Sequence, residues 1–267
     1  MEALQLTDSW PAENVAVAAL ATGRELGRRG DASRVFRWAS VTKPVVALAA
    51  LVAAEEGTID LDEPAGPLGS TMRHLLAHAS GLPFDAGAPI AKPGTRRIYS
   101  NAGFEVAAER IALHAEMPFA EYLAKAVLKP LGMQAELRGS PAAGLHGSLD
   151  DLVAFVRELF APTLIAPETL AEAVSVQFPG LAGVIPDLGR FDPNDWGLGF
   201  ELKGGKQPHF SGTLTSPGTF GHWGGSGTFF WVDPERSIAL ITLSDLEFGD
   251  WAKEAWPPFS DAVVRES

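Results

Sequence analysis

The sequence predicts a mixed α/β fold: a sheet domain, split in sequence by a helical insert. Three observations predict it. Small and β-branched residues form a strand-like run near the start, from Asn14 to Thr22. The middle of the chain has helical spacing punctuated by Gly and Pro clusters. Near Trp196 the texture turns to β again and ends in an amphipathic stretch.

Taken in order, Asn14–Thr22 (NVAVAALAT) reads as a strand, and Arg34–Ala39 (RVFRWA) mixes charged and apolar residues as a strand end does. Val41–Glu56 is apolar on nearly every side and stops at Gly57, which is the pattern of a buried helix. Pro44 is compatible with it, because the first-turn N–H groups of a helix have no intrahelical partner to lose. Thr58–Pro67 reads as loop. Helices are expected over Ser70–His78, Ala102–His114, Phe119–Val127, Leu149–Leu159 and Pro167–Val174. Strands are expected over Gly197–Leu202, Phe220–His222, Thr228–Val232 and Ile238–Leu243, followed by a helix over Asp250–Arg265 despite Pro257 and Pro258. The expected division is residues 1–62 with 190–267 as the sheet domain and 63–189 as the helical subdomain.

The bulk composition excludes several classes of function. The chain has 267 residues, 46% hydrophobic and 20% charged, which is enough for a sizeable core without disulfides. Its net charge of -12 argues against nucleic acid and anionic membrane as partners, both of which need clustered positive charge. No run reaches the roughly eighteen apolar residues of a membrane span. The first residues show no basic and apolar pattern of a secretory signal, so a cytoplasmic location is expected. With no cysteine there is no thiol nucleophile and no thiolate metal site.

Three elements carry chemistry. Ser40-Val41-Thr42-Lys43 is the chain's only S-x-x-K, set where a strand-like segment meets the all-apolar helix. Residues three apart share a helix face, so Lys43 would lie beside the Ser40 hydroxyl. Burial disfavours the charged amine and makes it a usable base, and serine needs one to become a nucleophile. Tyr99-Ser100-Asn101 supplies a phenol that can relay a proton and an amide that can hold a carbonyl or brace the lysine. Gly221-His222-Trp223-Gly224-Gly225-Ser226-Gly227 lies between strands, where glycines let a substrate approach backbone N–H groups. Each element has a plainer reading by itself: Ser40 as a helix cap, Tyr99 as a half-buried tyrosine, the glycine run as a flexible turn. His74 and His78 have the i, i+4 spacing of metal ligands. Leu75 stands where H-E-x-x-H needs its Glu, however, and no third ligand is evident. No metal and no cofactor are expected. Trp223 and Trp231 fit either a substrate groove or the core.

The order S-x-x-K, Y-x-N, H-x-G resembles that of the class C β-lactamase-related serine hydrolases, which include β-lactamases, D-alanyl-D-alanine carboxypeptidases, D-aminopeptidases and esterases. The likeness extends to His74–Pro83 (HLLAHASGLP), Pro93-Gly94-Thr95 ahead of Tyr99, Lys129–Met133 (KPLGM), Ser148–Leu152 (SLDDL) and Trp196–Gly199 (WGLG). It implies a β-lactamase/transpeptidase-like fold, an antiparallel sheet flanked by helices plus a mostly helical inserted subdomain. It implies that Ser40 becomes acylated and that Lys43 and Tyr99 share the acid and base work. Asn101 would orient Lys43 and the substrate, and the N–H groups of Ser40 and Gly225 would form the oxyanion hole. His222, with Trp223 and Gly224 beside it, would face the substrate. His222 stands where the lactamases carry the lysine of K-T-G. A neutral imidazole attracts a carboxylate less, which favours esters and small amides over β-lactams and muropeptides. The expectation is a β-lactamase-like esterase acting on a small ester, amide or β-lactam. A β-lactamase or a D,D-peptidase comes next, then a binding protein that kept the fold and lost turnover. A metal-dependent hydrolase built on His74 and His78 is the remaining alternative.

Overall fold

The computed structural model describes all 267 residues. A short 3-10 helix over Glu2–Ser9 leads into β1 (Val15–Ala21), β2 (Arg24–Arg29) and the two-residue β3 (Phe36–Arg37). A single turn over Ala39–Val41 opens α1 (Thr42–Glu55). The middle of the chain holds α2 (Met72–Leu76), β4 (Arg97–Ile98), α3 (Asn101–His114), α4 (Phe119–Leu123), β5 (Glu136–Leu137), β6 (Leu145–Gly147), α5 (Leu149–Phe160) and α6 (Pro167–Ala173). The hairpin β7 (Gly183–Ile185) and β8 (Gly189–Phe191) and the short β9 (Glu201–Leu202) follow. The chain ends with β10 (Phe220–Gly224), β11 (Thr228–Asp233), β12 (Ile238–Ser244) and α7 (Asp250–Glu266).

Six strands form one sheet in the order β2-β1-β12-β11-β10-β9, antiparallel at every pairing. The N-terminal strand therefore sits beside the C-terminal one, and everything between β2 and β9 is inserted on the sheet's faces and edge. Strand side chains alternate between faces, so a sheet buried on both sides needs apolar residues at every position. The inner strands of this sheet are apolar at most positions on both faces. Ala16, Ala18, Leu20, Phe230, Val232, Ala239, Ile241 and Leu243 join a core shared with α1, α3 and α5. Val17, Ala19, Phe229, Trp231, Ile238 and Leu240 join a second core under α7 and the N-terminal 3-10 helix. The larger cluster runs unbroken from the sheet into the helical middle of the chain.

Several expected elements differ in extent. β2 (RELGRR) has no apolar alternation because it is a charged edge strand, which blocks pairing with a second sheet. The strand expected over 197–202 shrinks to β9. Gly199 there adopts a positive φ of 83° and packs on α1, where an added Cβ would lie 2.3 Å from the Ala47 Cβ. The helix expected up to His78 ends early, because His78 itself takes a φ of 55°. α7 continues through Pro257 and Pro258. The carbonyls that lose their helical donors to these prolines belong to Lys253 and Glu254, both on exposed residues and free to bond water.

Candidate active site

Ser40 sits in the single turn that joins β3 to α1, and that turn is pinned on both sides. Trp38 donates from its backbone N to the Leu145 carbonyl (2.9 Å) and from Nε1 to the Gly147 carbonyl (3.0 Å), both on β6. On the other side, Thr228 Oγ1 of β11 donates to the Trp38 carbonyl (2.9 Å) and Ser226 Oγ donates to the Arg37 carbonyl (2.6 Å). Ala39 is held at a φ of 45°, a left-handed conformation costing about 1 kcal/mol or more in a non-glycine residue. The constraint presents Ser40, half-buried, at the entry to a helix buried on nearly every side.

Lys43 lies one turn on, fully buried. Its Nζ is 3.0 Å from Ser40 Oγ, 2.7 Å from Asn101 Oδ1 and 2.9 Å from the Ala142 carbonyl. Desolvation pulls its pKa from an ordinary 10.5 down to about 7, against the opposing charge of Glu105. The partner set decides where the neutral amine points. The Asn101 Oδ1 and the Ala142 carbonyl can only accept, so they take the two N–H bonds of –NH₂. The lone pair is left for the one partner able to donate, the Ser40 hydroxyl.

Asn101 is the first residue of α3, whose N-cap Ser100 accepts from the Gly103 N–H (3.0 Å). One turn along α3, Glu105 accepts a short hydrogen bond from Ser140 Oγ, which in turn accepts from the Ala142 N–H (3.0 Å). This chain fixes the Ala142 carbonyl against Lys43.

Tyr99 lies between β4 and α3, with its ring centroid 4.8 Å from Lys43 Nζ. His78 stacks on it at 4.5 Å, and Trp196 and His222 lie at 5.6 and 5.9 Å. Burial raises the phenol pKa, and the neighbouring Ser40 hydroxyl works in the opposite direction. The phenol is therefore neutral near pH 7, a proton carrier rather than a resident base. His78 Nδ1 accepts from the Ser100 N–H at 3.1 Å, and burial holds the ring neutral. Arg97, buried beside Tyr99, ties three segments together through the carbonyls of Ala77 (2.5 Å), Gln177 (2.7 Å) and Asn194 (3.1 Å).

His222 is in the middle of β10. Desolvation, with the Lys43 charge adding to it, lowers its pKa from 6.5 to about 3. Its Nδ1 is 2.7 Å from the Trp223 carbonyl. A carbonyl only accepts, so Nδ1 carries the proton and Nε2 presents a buried lone pair with no protein partner. The position thus offers an acceptor, where a lysine would offer a cation. Gly224 passes close to the nucleophile turn: an added Cβ would lie 2.4 Å from the Trp38 carbonyl. Gly225 is exposed, and its N–H finds no acceptor in the protein.

The structure brings Ser40, Lys43, Tyr99, Asn101, His222 and Gly224 to one place. Trp223 is not among them. Alternation along β10 turns it to the opposite face, where it stacks on Phe248 at 4.3 Å and meets Trp256 edge-on. Trp231 points to that same second core. His74 is engaged in the cap of α2 through Thr71 Oγ1 (2.9 Å), away from the partners of His78. The residues not anticipated are Ala142, Glu105 and Ser140 behind Lys43, and Arg97 behind Tyr99. Glu105 was within reach of reading, since it lies one helical turn from Asn101. A backbone carbonyl such as Ala142's leaves no mark in a sequence.

No helix is long and apolar enough to cross a membrane. A penicillin-binding protein of Bacillus subtilis is 26% identical over 86% of this chain, and the chain spans 58% of that protein's length. Esterase EstB of Burkholderia gladioli is 25% identical over 90% of this chain and 84% of its own. A crystal structure described as a β-lactamase from Mycobacterium bovis is 48% identical and superposes with a TM-score of 0.97, covering 99% of this chain and 98% of that one. The Beta-lactamase family model matches residues 10–135 and 134–262. With that match across nearly its whole length, the chain belongs to the Beta-lactamase family.

Proposed function

We propose that the protein is a serine hydrolase that cleaves small esters through a Ser40 acyl-enzyme. One observation carries the reading: two acceptor-only carbonyls hold Lys43 so that its lone pair faces Ser40 Oγ at 3.0 Å. Lys43 takes the Ser40 proton as Oγ attacks the substrate carbonyl. The N–H groups of Ser40 and Gly225 receive the developing oxyanion. The proton passes from Lys43 by way of Tyr99 to the departing alcohol, and water then hydrolyses the acyl-enzyme by the same groups in reverse. Proton transfer by a placed side chain contributes about 10²- to 10⁴-fold in rate.

The preference for esters rests on His222. A carboxylate-bearing substrate gains nothing from a neutral ring whose Nε2 is itself an acceptor, whereas an alcohol or amine donor does. The esterase named among the relatives agrees with this preference. A second reading, turnover of β-lactams, is favoured by the description of the 48% identical Mycobacterium bovis protein.

The test is turnover of p-nitrophenyl acetate, p-nitrophenyl butyrate and a chromogenic cephalosporin by wild type and Ser40→Ala side by side. Ester turnover lost in Ser40→Ala, with little cephalosporin turnover, is the expected result. Strong cephalosporin turnover moves the assignment to β-lactamase. Ester turnover that survives in Ser40→Ala overturns the mechanism, and a stable adduct on Ser40 that never hydrolyses points to a binding protein.

A further inference from the structure

The far face of β10 carries a feature that the ester-cleaving reading does not use. Between β10 and α7 lies a cavity of about 120 Å³, walled by Trp223, Phe248, Trp256 and Phe210, with His209 at one side. Exposed Lys253 and Asp187 stand at its mouth. The volume approaches the roughly 150 Å³ at which an apolar protein cavity accepts benzene.

One buried donor on this aromatic space has no partner. Trp256 is 1% exposed, and its Nε1–H has no acceptor. His209, also on the wall, is engaged elsewhere: its Nδ1 lies 2.7 Å from Ser211 Oγ, and its Nε2 faces the buried Glu201 carboxylate at 3.6 Å. Native proteins pair nearly all buried polar groups, so the unpaired Trp256 donor calls for an acceptor from outside the chain.

The cavity also connects to the Ser40 side of the sheet, by way of Phe248. The Phe248 ring stacks on Trp223, while its backbone N–H donates to the Gly225 carbonyl at 2.9 Å. Gly225 belongs to the glycine turn between β10 and β11, where no side chain restrains it. Packing a ring against Phe248 stiffens that turn.

We propose that this cavity is a second small-molecule site, for a single-ring aromatic compound bearing a carbonyl acceptor, and that its occupancy is transmitted through Phe248 to Gly225. The aromatic walls take the ring, and the carbonyl accepts from Trp256 Nε1–H.

Acetophenone is a suitable probe, because it has no bond for Ser40 to cleave. Calorimetric titration into the wild-type protein is expected to give one site with a Kd on the order of 1 mM. Ala252→Leu, which fills the cavity from α7, is expected to weaken binding at least tenfold and to leave ester turnover unresponsive to acetophenone. Trp256→Phe keeps a ring and removes the donor, and is expected to weaken binding about fivefold. Saturating acetophenone is expected to change kcat for p-nitrophenyl acetate at least twofold without competing for the substrate. Absence of binding at 10-fold the expected Kd, or equal binding by both variants, overturns the site. Simple competition with the ester places the ring at Ser40 and also overturns it. Binding with unchanged kcat overturns the link to Gly225. The titration needs no turnover, so it stands whether or not the ester-cleaving reading does.

Discussion

Replacing Lys43 with methionine separates the stability of the fold from the chemistry of the site. In the unfolded chain the lysine titrates near its ordinary 10.5, and in the folded protein near 7. Each pKa unit corresponds to about 1.4 kcal/mol, so burial of this amine costs the fold roughly 5 kcal/mol at any pH below 7. The sign follows from proton counts. Between pH 7 and 10.5 the unfolded chain binds the proton and the folded protein does not, so stability rises with pH across that window. It is greatest above 10.5, falls as pH drops toward 7, and changes no further below 7. From pH 7 to pH 9 the wild type should gain about 2 to 2.5 kcal/mol from this group alone. Lys43→Met lacks the gain, while all other titrations are common to both proteins. The absolute difference at pH 7 is smaller than the full cost, because methionine leaves the Asn101 and Ala142 acceptors unpaired. The pH dependence is free of that complication. Urea unfolding of both proteins at pH 7 and pH 9 measures it. Parallel changes in the two proteins would refute the reasoning: Lys43 would then be an ordinary ammonium and no base for Ser40.

Other outcomes follow from the same geometry. kcat/KM for p-nitrophenyl acetate should rise with pH through about 7, as Lys43 loses its proton, and a profile flat from pH 5.5 to 8.5 would assign the base elsewhere. Asn101→Leu removes one of the two acceptors that aim the lone pair, and kcat should fall about 10- to 100-fold with KM changed less. His222→Lys replaces an acceptor by a cation, so the ratio of cephalosporin to ester turnover should rise; an unchanged ratio would show that residue 222 does not read the substrate's charge. Gly199→Ala puts a Cβ 2.3 Å from Ala47 at a positive φ, and unfolding should become easier by about 2 kcal/mol or more, read as a lower urea midpoint.

The parts legible in the sequence are those whose side chains repeat with a period. β1 and β10 to β12 alternate between two buried faces, and α1 is apolar all round because it lies inside the larger core. The antiparallel order of the sheet came from the family resemblance, since period-two patterning does not state a strand's direction. β2 escaped because its charged residues serve to avoid partners. The candidate site was legible where side chains form it, as in Ser40, Lys43, Tyr99, Asn101 and His222, which the structure brings together. It was illegible where backbone does, as at Ala142. Trp223 was placed by proximity in sequence to His222, when adjacency within a strand means opposite faces.

The helix that carries Lys43 has a consequence for how the protein fluctuates. α1 is enclosed from Thr42 to Ala53, so no small opening gives water access to its amides. Its hydrogens should exchange with solvent only when the whole molecule unfolds, and should be among the slowest in the chain. The enclosure that protects those amides is also what holds the pKa of the Lys43 amine near 7. A variant that lets α1 exchange by local opening would also re-hydrate the amine, and its pKa would climb back toward 10.5 before the fold was lost.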